Sequence, residues 1–151
     1  MSKIKRNIPG SKWWKFDFHT HTPASSGDYI EDVSNSFTPE LWLQNAMQNG
    51  LDCVVVSDHN SGDWIDRLKE KNNEIRGQEL KPDWYHELII FPGAEITVAD
   101  SNSRIHLLAV FGPECDSRKI TGLLGACGIH GGYGDHQDTS TTTGFVETEK
   151  K

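Results

Sequence analysis

The sequence predicts an α/β protein whose parallel or mixed sheet carries flanking helices. Apolar segments typical of strands alternate along the chain with segments of helical periodicity. Residues suited to binding metal stand where four of the predicted strands end. Because active sites of α/β folds lie at the carboxyl ends of strands, we expect these residues to share one site.

The first predicted strand begins at Lys15 and ends, at Thr22, just after the triplet His19-Thr20-His21. Alternate residues of a strand point to the same face, so the two imidazoles lie side by side and Thr20 points away. Such a pair supplies half of a metal site, although paired histidines also occur by chance or on ordinary surfaces. The next segment, PASSGDY, has the composition of a turn.

The first helix is predicted to begin at Pro39, with Thr38 as its N-cap and Glu40 in its first turn. Gly50 is suited to end it. Its apolar side chains recur at helical spacing, which favours a core position over a cofactor site. These side chains belong to Leu41, Trp42, Ala46 and Met47.

The second strand is predicted from Cys53 to Ser57, a continuous apolar run typical of a strand buried on both faces of a parallel sheet. Asp58 and His59 follow it directly. An amphipathic helix is predicted from Trp64 toward Arg76, because apolar residues recur there among charged ones.

Two further strands and a helix complete the predicted order. The third strand runs from Glu87 to Thr97 and is interrupted by Pro92-Gly93. The fourth runs from Arg104 to Gly112, and a helix is predicted from Ser117 to Ala126. The order strand, helix, strand, helix, strand, strand, helix favours βα units.

Length and composition narrow the class of protein. The chain has 151 residues, enough for one domain with a sizeable core but fewer than the roughly 250 of a complete barrel enzyme. It holds neither an apolar run of about 20 residues nor a signal-peptide core, so a cytoplasmic location without membrane contact is expected. Three cysteines without CxxC spacing are expected to be reduced, with Cys53 a small core residue.

We expect three regions along the chain. Residues 1–10 form a basic, flexible leader, for which contact with phosphate or nucleic acid is the alternative to simple solvation. Residues 11–136 form the folded domain. Residues 137–151 are polar and are expected to be a disordered tail.

The strand ends together offer imidazoles and carboxylates but no thiolate, a donor set suited to zinc, manganese or iron. The set exceeds what one structural zinc needs, so two or more cations are expected, which can clamp a phosphoryl group and activate water. Glu95, which has two oxygens, is the expected bridge. The six residues are His19, His21, Asp58, His59, Glu95 and His106.

Each of these residues also has a purely structural interpretation. His106 lies in an apolar segment and suits a hydrogen-bonded core histidine. Asp58 suits a cap of the following turn, and Glu95 suits an ion pair with a surface lysine. A shared site is favoured because four strands would otherwise each need a coincidental polar residue at the same end.

Four ordered motifs between residues 11 and 127 resemble the PHP domain (polymerase and histidinol phosphatase). They read FDFHTHTPAS, VVVSDHNSGDWI, FPGAEIT and IHLLAVFG. The sequence is most similar to the N-terminal PHP domains of TrlF-like proteins, which also carry an AAA or SMC-like ATPase region. The resemblance implies the N-terminal part of a distorted (β/α)7 barrel, with mostly parallel strands, and a two- or three-metal centre that hydrolyses phosphate esters.

The resemblance also implies a role for each ligand. His19 and His21 hold the first metal, Glu95 bridges, and His106 holds the second metal. His59 serves a third metal. The resemblance places Asp58 beside His59, as a ligand or as a residue that orients one. The residues implied in catalysis are Glu95, Asp58 and His59.

The sequence departs from the family pattern in two places. Gly27 and Asp28 stand where members with three metals usually carry another histidine. The family also takes a histidine and an Asp-x-His motif from later strands, which this sequence does not reach. Substitute ligands from its glycine-rich segment are the alternative, namely His130, Asp135, His136 and Asp138.

The leading hypothesis is therefore a PHP-type phosphoesterase acting on phosphomonoesters or on nucleotide or nucleic-acid phosphodiesters. An amidohydrolase-like barrel also begins with an HxH triplet, but the DHN and GAEIT motifs favour the PHP-type hypothesis. The alternative from another class is a non-catalytic metal- or phosphate-binding module, or an inactive fragment of a larger PHP-ATPase protein. A partial barrel leaves open sheet edges, so self-association or association with an ATPase polypeptide is expected.

Overall fold

The computed structural model describes residues 13–25, 36–100, 103–129 and 138–139. The described part is a mixed α/β fold in which a curled sheet forms half a barrel. The strands are β1 (Phe16–Thr20), β2 (Cys53–Val56), β3 (Ile89–Asp100), β4 (Ser103–Val110) and β5 (Asp138–Thr139). The helices are α1 (Pro39–Gln48), α2 (Asp63–Gly77) and α3 (Ser117–Ala126). The predicted α/β class is confirmed, and the described strands amount to part of a barrel.

The sheet is mixed rather than wholly parallel. Its order is β1-β2-β3-β4, with β1, β2 and β3 parallel to one another and β4 antiparallel to β3. β5 adds a short parallel pairing to β3 within the segment that the sequence assigned to a tail. The carboxyl ends of β1 and β2 therefore meet the middle of β3, which is where the predicted ligands lie.

β3 is continuous, so the predicted interruption at Pro92-Gly93 is wrong. Pro92, which lacks an N–H, occupies the last β2–β3 pair, and pairing with β4 begins at Gly93. A Cβ on Gly93 would lie 2.8 Å from both the Ala109 carbonyl oxygen and a methyl carbon of Val55. The two residues therefore mark the point where the strand changes partners, and glycine permits the close approach.

The helices begin and end where local chemistry predicts. The Thr38 hydroxyl accepts a hydrogen bond from the N–H of Leu41, and Gly50 follows α1 with a φ of 71°. The Asp116 side chain caps α3 by accepting from Arg118 N–H. Local hydrogen bonds thus mark the starts of α1 and α3, whereas α2 begins after Gly62 without a side-chain cap.

The core lies between the helices and one face of the sheet. Alternate residues of the central strands point into it, among them Val54, Val56 and Ile96. The helices contribute fully buried side chains such as Leu43 and Ile65. Leu41 is an exception to the predicted core face of α1, since it is exposed.

The opposite, concave face of the sheet is open to solvent over part of its area. The Phe16 and Phe18 rings stack there with centroids 4.0 Å apart, and Phe18 is 65% exposed. Leu108 and Val110 of β4 are 41% and 47% exposed. The candidate metal ligands described below share this face.

No helix among the described residues is long and apolar enough to cross a membrane. None of the three cysteines forms a disulfide, and Cys53 is buried as predicted.

Candidate metal centre

The end of β1 brings two imidazoles together. The β1–β2 register shifts between Asp17 and Thr20, and the Thr20 hydroxyl donates to the Val55 carbonyl 2.7 Å away. His19 and His21 instead turn toward one another, with their Nε2 atoms 2.8 Å apart. The geometry is the one expected for an HxH triplet at a strand end.

Glu95 in β3 is the point on which the imidazoles converge. Its side chain is only 4% exposed. Its Oε2 atom lies 2.7 Å from His19 Nε2 and 3.3 Å from His21 Nε2. Its backbone N–H donates to the Asp58 carbonyl, and Asn60 N–H donates to the Glu95 carbonyl. These backbone bonds hold the segment after β2 against β3 and so fix the position of the Glu95 backbone relative to His59.

A second group forms on the other side of the same carboxylate. The β3–β4 register pairs Thr97 with His106, which places the imidazole on the face that carries Glu95. His106 Nδ1 makes a very short contact with Glu95 Oε1, and His59 Nδ1 lies 3.6 Å from Oε2. His106 is 48% exposed, so the alternative of a buried core histidine does not hold.

The ligand atoms form two groups that share Glu95. One contains His19, His21 and Glu95, and the other contains His59, Glu95 and His106, with the ligand atoms of each group within 4.8 Å of one another. Among the described residues, no third group of this kind occurs. Imidazole nitrogens and a carboxylate, without thiolate, fit divalent zinc, manganese or iron. The residues present therefore fit one cation in each group.

The environment of Glu95 favours its ionised form. Burial alone raises the pKa of this carboxyl group. Hydrogen bonds from His106 and His19, together with the charge of the nearby imidazoles, outweigh the burial and leave the pKa below its ordinary value. Glu95 thus faces the imidazoles as a carboxylate rather than as a neutral acid.

Asp58 belongs to neither group of ligand atoms. It is fully buried, and its oxygens accept hydrogen bonds from the Thr22 N–H at 2.5 Å and the Thr22 hydroxyl at 2.6 Å. The Ser25 hydroxyl donates to it at 3.0 Å. The carboxylate thus connects the turn after β1 to the end of β2. The structural interpretation from the sequence was narrower, since it had Asp58 cap only the turn that follows it.

Two further residues support the imidazole pair and were not identified from the sequence. The Trp42 indole N–H donates to the His21 carbonyl oxygen at 3.0 Å, so α1 holds the backbone beside the site. The Ser25 hydroxyl lies 2.8 Å from His21 Nδ1. Trp42 carried only a core pattern and Ser25 only turn composition, and neither pattern indicates a contact with His21.

Several predicted positions lie outside the described residues. They include Gly27 and Asp28 after the HxH triplet, and the substitute ligands His130, Asp135 and His136. Asp138 is described by its backbone alone, which pairs with Thr97. The regions 1–10 and most of 137–151 also lie outside the described residues.

Comparison with known proteins finds similarity among solved structures. No protein-family model matches the chain, and no curated protein matches it. The fold is similar to the crystal structure of a protein from Bifidobacterium adolescentis that is designated a candidate metal-dependent phosphoesterase, with a TM-score of 0.47 and 26% sequence identity. The match covers 74% of this chain and 32% of that one, so this chain spans about a third of that protein's length. The function proposed below rests on the residues described above and not on this similarity.

Proposed function

We propose that this chain is a PHP-type metal-dependent phosphoesterase domain whose centre holds two divalent cations bridged by Glu95. The observation that carries the proposal is that imidazoles approach both oxygens of the Glu95 carboxylate. Oε2 lies nearest His19 and His21, with His59 Nδ1 further away at 3.6 Å, while Oε1 contacts His106. A carboxylate shared in this way between two sets of imidazoles is suited to bridging two cations.

His19 and His21 would hold one cation, and His59 and His106 the other. The geometry favours two cations over three, because His59 falls in the same group as His106 and Glu95, and the described residues form no third group. Divalent cations held at these positions would supply Lewis-acid stabilisation of phosphoryl oxygens and would lower the pKa of water.

The chain itself contributes position and access. Glu95 is held by the backbone bonds to the segment after β2, so its carboxylate is fixed before any substrate arrives. His19 and His106 are 41% and 48% exposed, which leaves the centre open to a phosphate ester from the concave side. Asp58 acts as a positioning residue, since its oxygens accept hydrogen bonds from the turn that carries Thr22 and Ser25.

The second candidate is a metal- or phosphate-binding module without turnover. It is favoured by one observation: among the described residues, Glu95 is the single carboxylate in either ligand group. Catalytic two-metal centres generally use more carboxylates, and an open site is less able to exclude water. In this case the chain binds cations but leaves phosphate esters intact.

The experiment that separates the two candidates uses the purified chain. Bound metal is measured by mass spectrometry, and hydrolysis of a phosphomonoester and of a nucleotide phosphodiester is measured with added manganese or zinc. The enzyme proposal predicts turnover that Glu95→Gln abolishes and that Glu74→Gln leaves intact, since Glu74 is 58% exposed on α2 and pairs with Lys71. Metal binding without turnover supports the module. A folded chain with neither property contradicts both.

The association of the chain with other polypeptides and its cellular location are predictions. Self-association through open sheet edges stays a prediction, and the exposed Phe18, Leu108 and Val110 add apolar surface that favours association. Association with an ATPase polypeptide gains no support from the described residues or from the comparisons. A cytoplasmic location is proposed from the sequence.

A further inference from the structure

Ser25 is a buried residue that contacts the metal centre without being one of its ligands. It ends the turn after β1, where its N–H donates to the Thr22 carbonyl, and it is only 2% exposed. Among the described residues, its hydroxyl oxygen has three polar neighbours: Asp58 Oδ1 at 3.0 Å, the His59 N–H at 3.0 Å and His21 Nδ1 at 2.8 Å.

The hydrogen bonds at this hydroxyl constrain which nitrogen of His21 carries the hydrogen. A serine hydroxyl has one hydrogen and two lone pairs. The Asp58 carboxylate can only accept, so it takes the hydroxyl hydrogen, and the His59 backbone N–H can only donate, so it occupies one lone pair. A single lone pair remains for His21 Nδ1, and that nitrogen must therefore carry a hydrogen.

The consequence appears at the other ring nitrogen. A neutral imidazole with its hydrogen on Nδ1 has its lone pair on Nε2. His21 Nε2 is the atom that lies 2.8 Å from His19 Nε2 and 3.3 Å from Glu95 Oε2, inside the first ligand group. The tautomer set by Ser25 is thus the one in which His21 can bind a cation at the place where the other ligands converge.

We propose that Ser25 is a positioning residue that, polarised by Asp58, holds His21 in the Nδ1–H tautomer and so prepares its Nε2 atom for the first cation. A hydroxyl that donates to a carboxylate is a stronger acceptor, because successive hydrogen bonds polarise one another. The same hydroxyl also binds the N–H of His59, so it links the ligands of both groups. The part of this proposal that concerns the cation rests on the proposed function, whereas the tautomer does not.

The first test is made on the metal-free wild-type chain. Long-range ¹H–¹⁵N correlation spectra at about pH 8, where an ordinary histidine is neutral, distinguish the two tautomers of His21. The proposal predicts Nδ1–H as the dominant form. A dominant Nε2–H form overturns it, whatever the metal content of the protein, and no variant has to fold for this result to be obtained.

The second test compares Ser25→Ala with Ser57→Ala. Ser57 is equally buried, at the end of β2, but its hydroxyl donates to the Thr20 carbonyl and does not reach an imidazole. Ser25→Ala is expected to shift His21 toward the Nε2–H tautomer and to weaken zinc binding, measured by calorimetry, by about 10- to 100-fold, as for other residues that orient a ligand. Ser57→Ala is expected to leave both readouts at their wild-type values.

The outcomes separate this proposal from the proposed function. Wild-type protein that shows the Nδ1–H tautomer but binds no cation contradicts the metal centre and leaves the role of Ser25 in setting the tautomer supported. Protein that binds zinc equally well as wild type and as Ser25→Ala, with an unchanged tautomer, contradicts the role of Ser25 and leaves the metal centre standing.

Discussion

Replacing Asp58 by asparagine tests whether this residue organises the fold around the site. Among the described residues, Thr22 donates two hydrogen bonds to its carboxylate and Ser25 donates one. All three residues are at most 2% exposed, so neither water nor salt screens these bonds. Asparagine keeps the shape of the side chain but loses its charge, and it turns one acceptor into a donor.

The expected loss follows from those contacts. A hydrogen bond to a charged group contributes about 1.5–3 kcal/mol and a neutral one about 0.5–1.5 kcal/mol, so the two bonds at Oδ1 lose roughly 1 kcal/mol each. The Thr22 hydroxyl at Oδ2 then faces an amide N–H₂ group and loses its acceptor, which costs about 1 kcal/mol more. We therefore expect Asp58→Asn to lower the free energy of unfolding by about 3 kcal/mol.

Urea denaturation followed by circular dichroism measures this difference, provided that the slope of the transition is the same in both proteins. Asp83→Asn is the matched control, because Asp83 is exposed and its substitution should change stability by less than about 0.5 kcal/mol. A loss at Asp58 no larger than that of the control would refute the view that this carboxylate organises the turn after β1.

Three other substitutions probe separate parts of the structure. Gly93→Ala should destabilise the chain by about 1–3 kcal/mol in urea denaturation, because its Cβ would press on the Ala109 carbonyl, while Gly77→Ala, with open space around the new carbon, should not. Trp42→Phe removes the indole bond to the His21 carbonyl and should cost about 1–2 kcal/mol, whereas Trp13→Phe, at a side chain 95% exposed, should cost nothing measurable. Since the pKa of Glu95 in the folded chain lies below its ordinary 4.5, its ionised form stabilises the metal-free fold above that pH, and this contribution is lost as the pH falls through the depressed value. The gap in unfolding free energy between wild type and Glu95→Gln should therefore narrow on acidification, and a gap that widens would contradict the direction of the shift.

The sequence was most informative where the signal is local. The run from Cys53 to Val56 was recognisable as a buried strand from its composition, and the Thr38-Pro39 pair marked the start of α1. The HxH triplet predicted that His19 and His21 lie side by side, since residues two apart at a strand end point the same way. It did not predict the register shift between Asp17 and Thr20.

Long-range pairing set the limits of the prediction. Whether His106 lies in the core or beside Glu95 depends on the β3–β4 register, which pairs it with Thr97 and which no local pattern specifies. The continuity of β3 through Pro92-Gly93 was missed for the same reason, because a proline is acceptable there only where the strand changes partners. The role of Ser25 depends on neighbours from a turn and a second strand, which sequence composition does not bring together.

The bridge at Glu95 is the central claim, and electron paramagnetic resonance of manganese-loaded protein tests it most directly. The expected result is two Mn²⁺ ions per chain with the spectrum of an exchange-coupled pair, because one carboxylate joins the two ligand groups. In Glu95→Gln the coupling should disappear. A wild-type chain that binds a single uncoupled ion, or a Glu95→Gln variant that retains the coupled spectrum, would contradict the account.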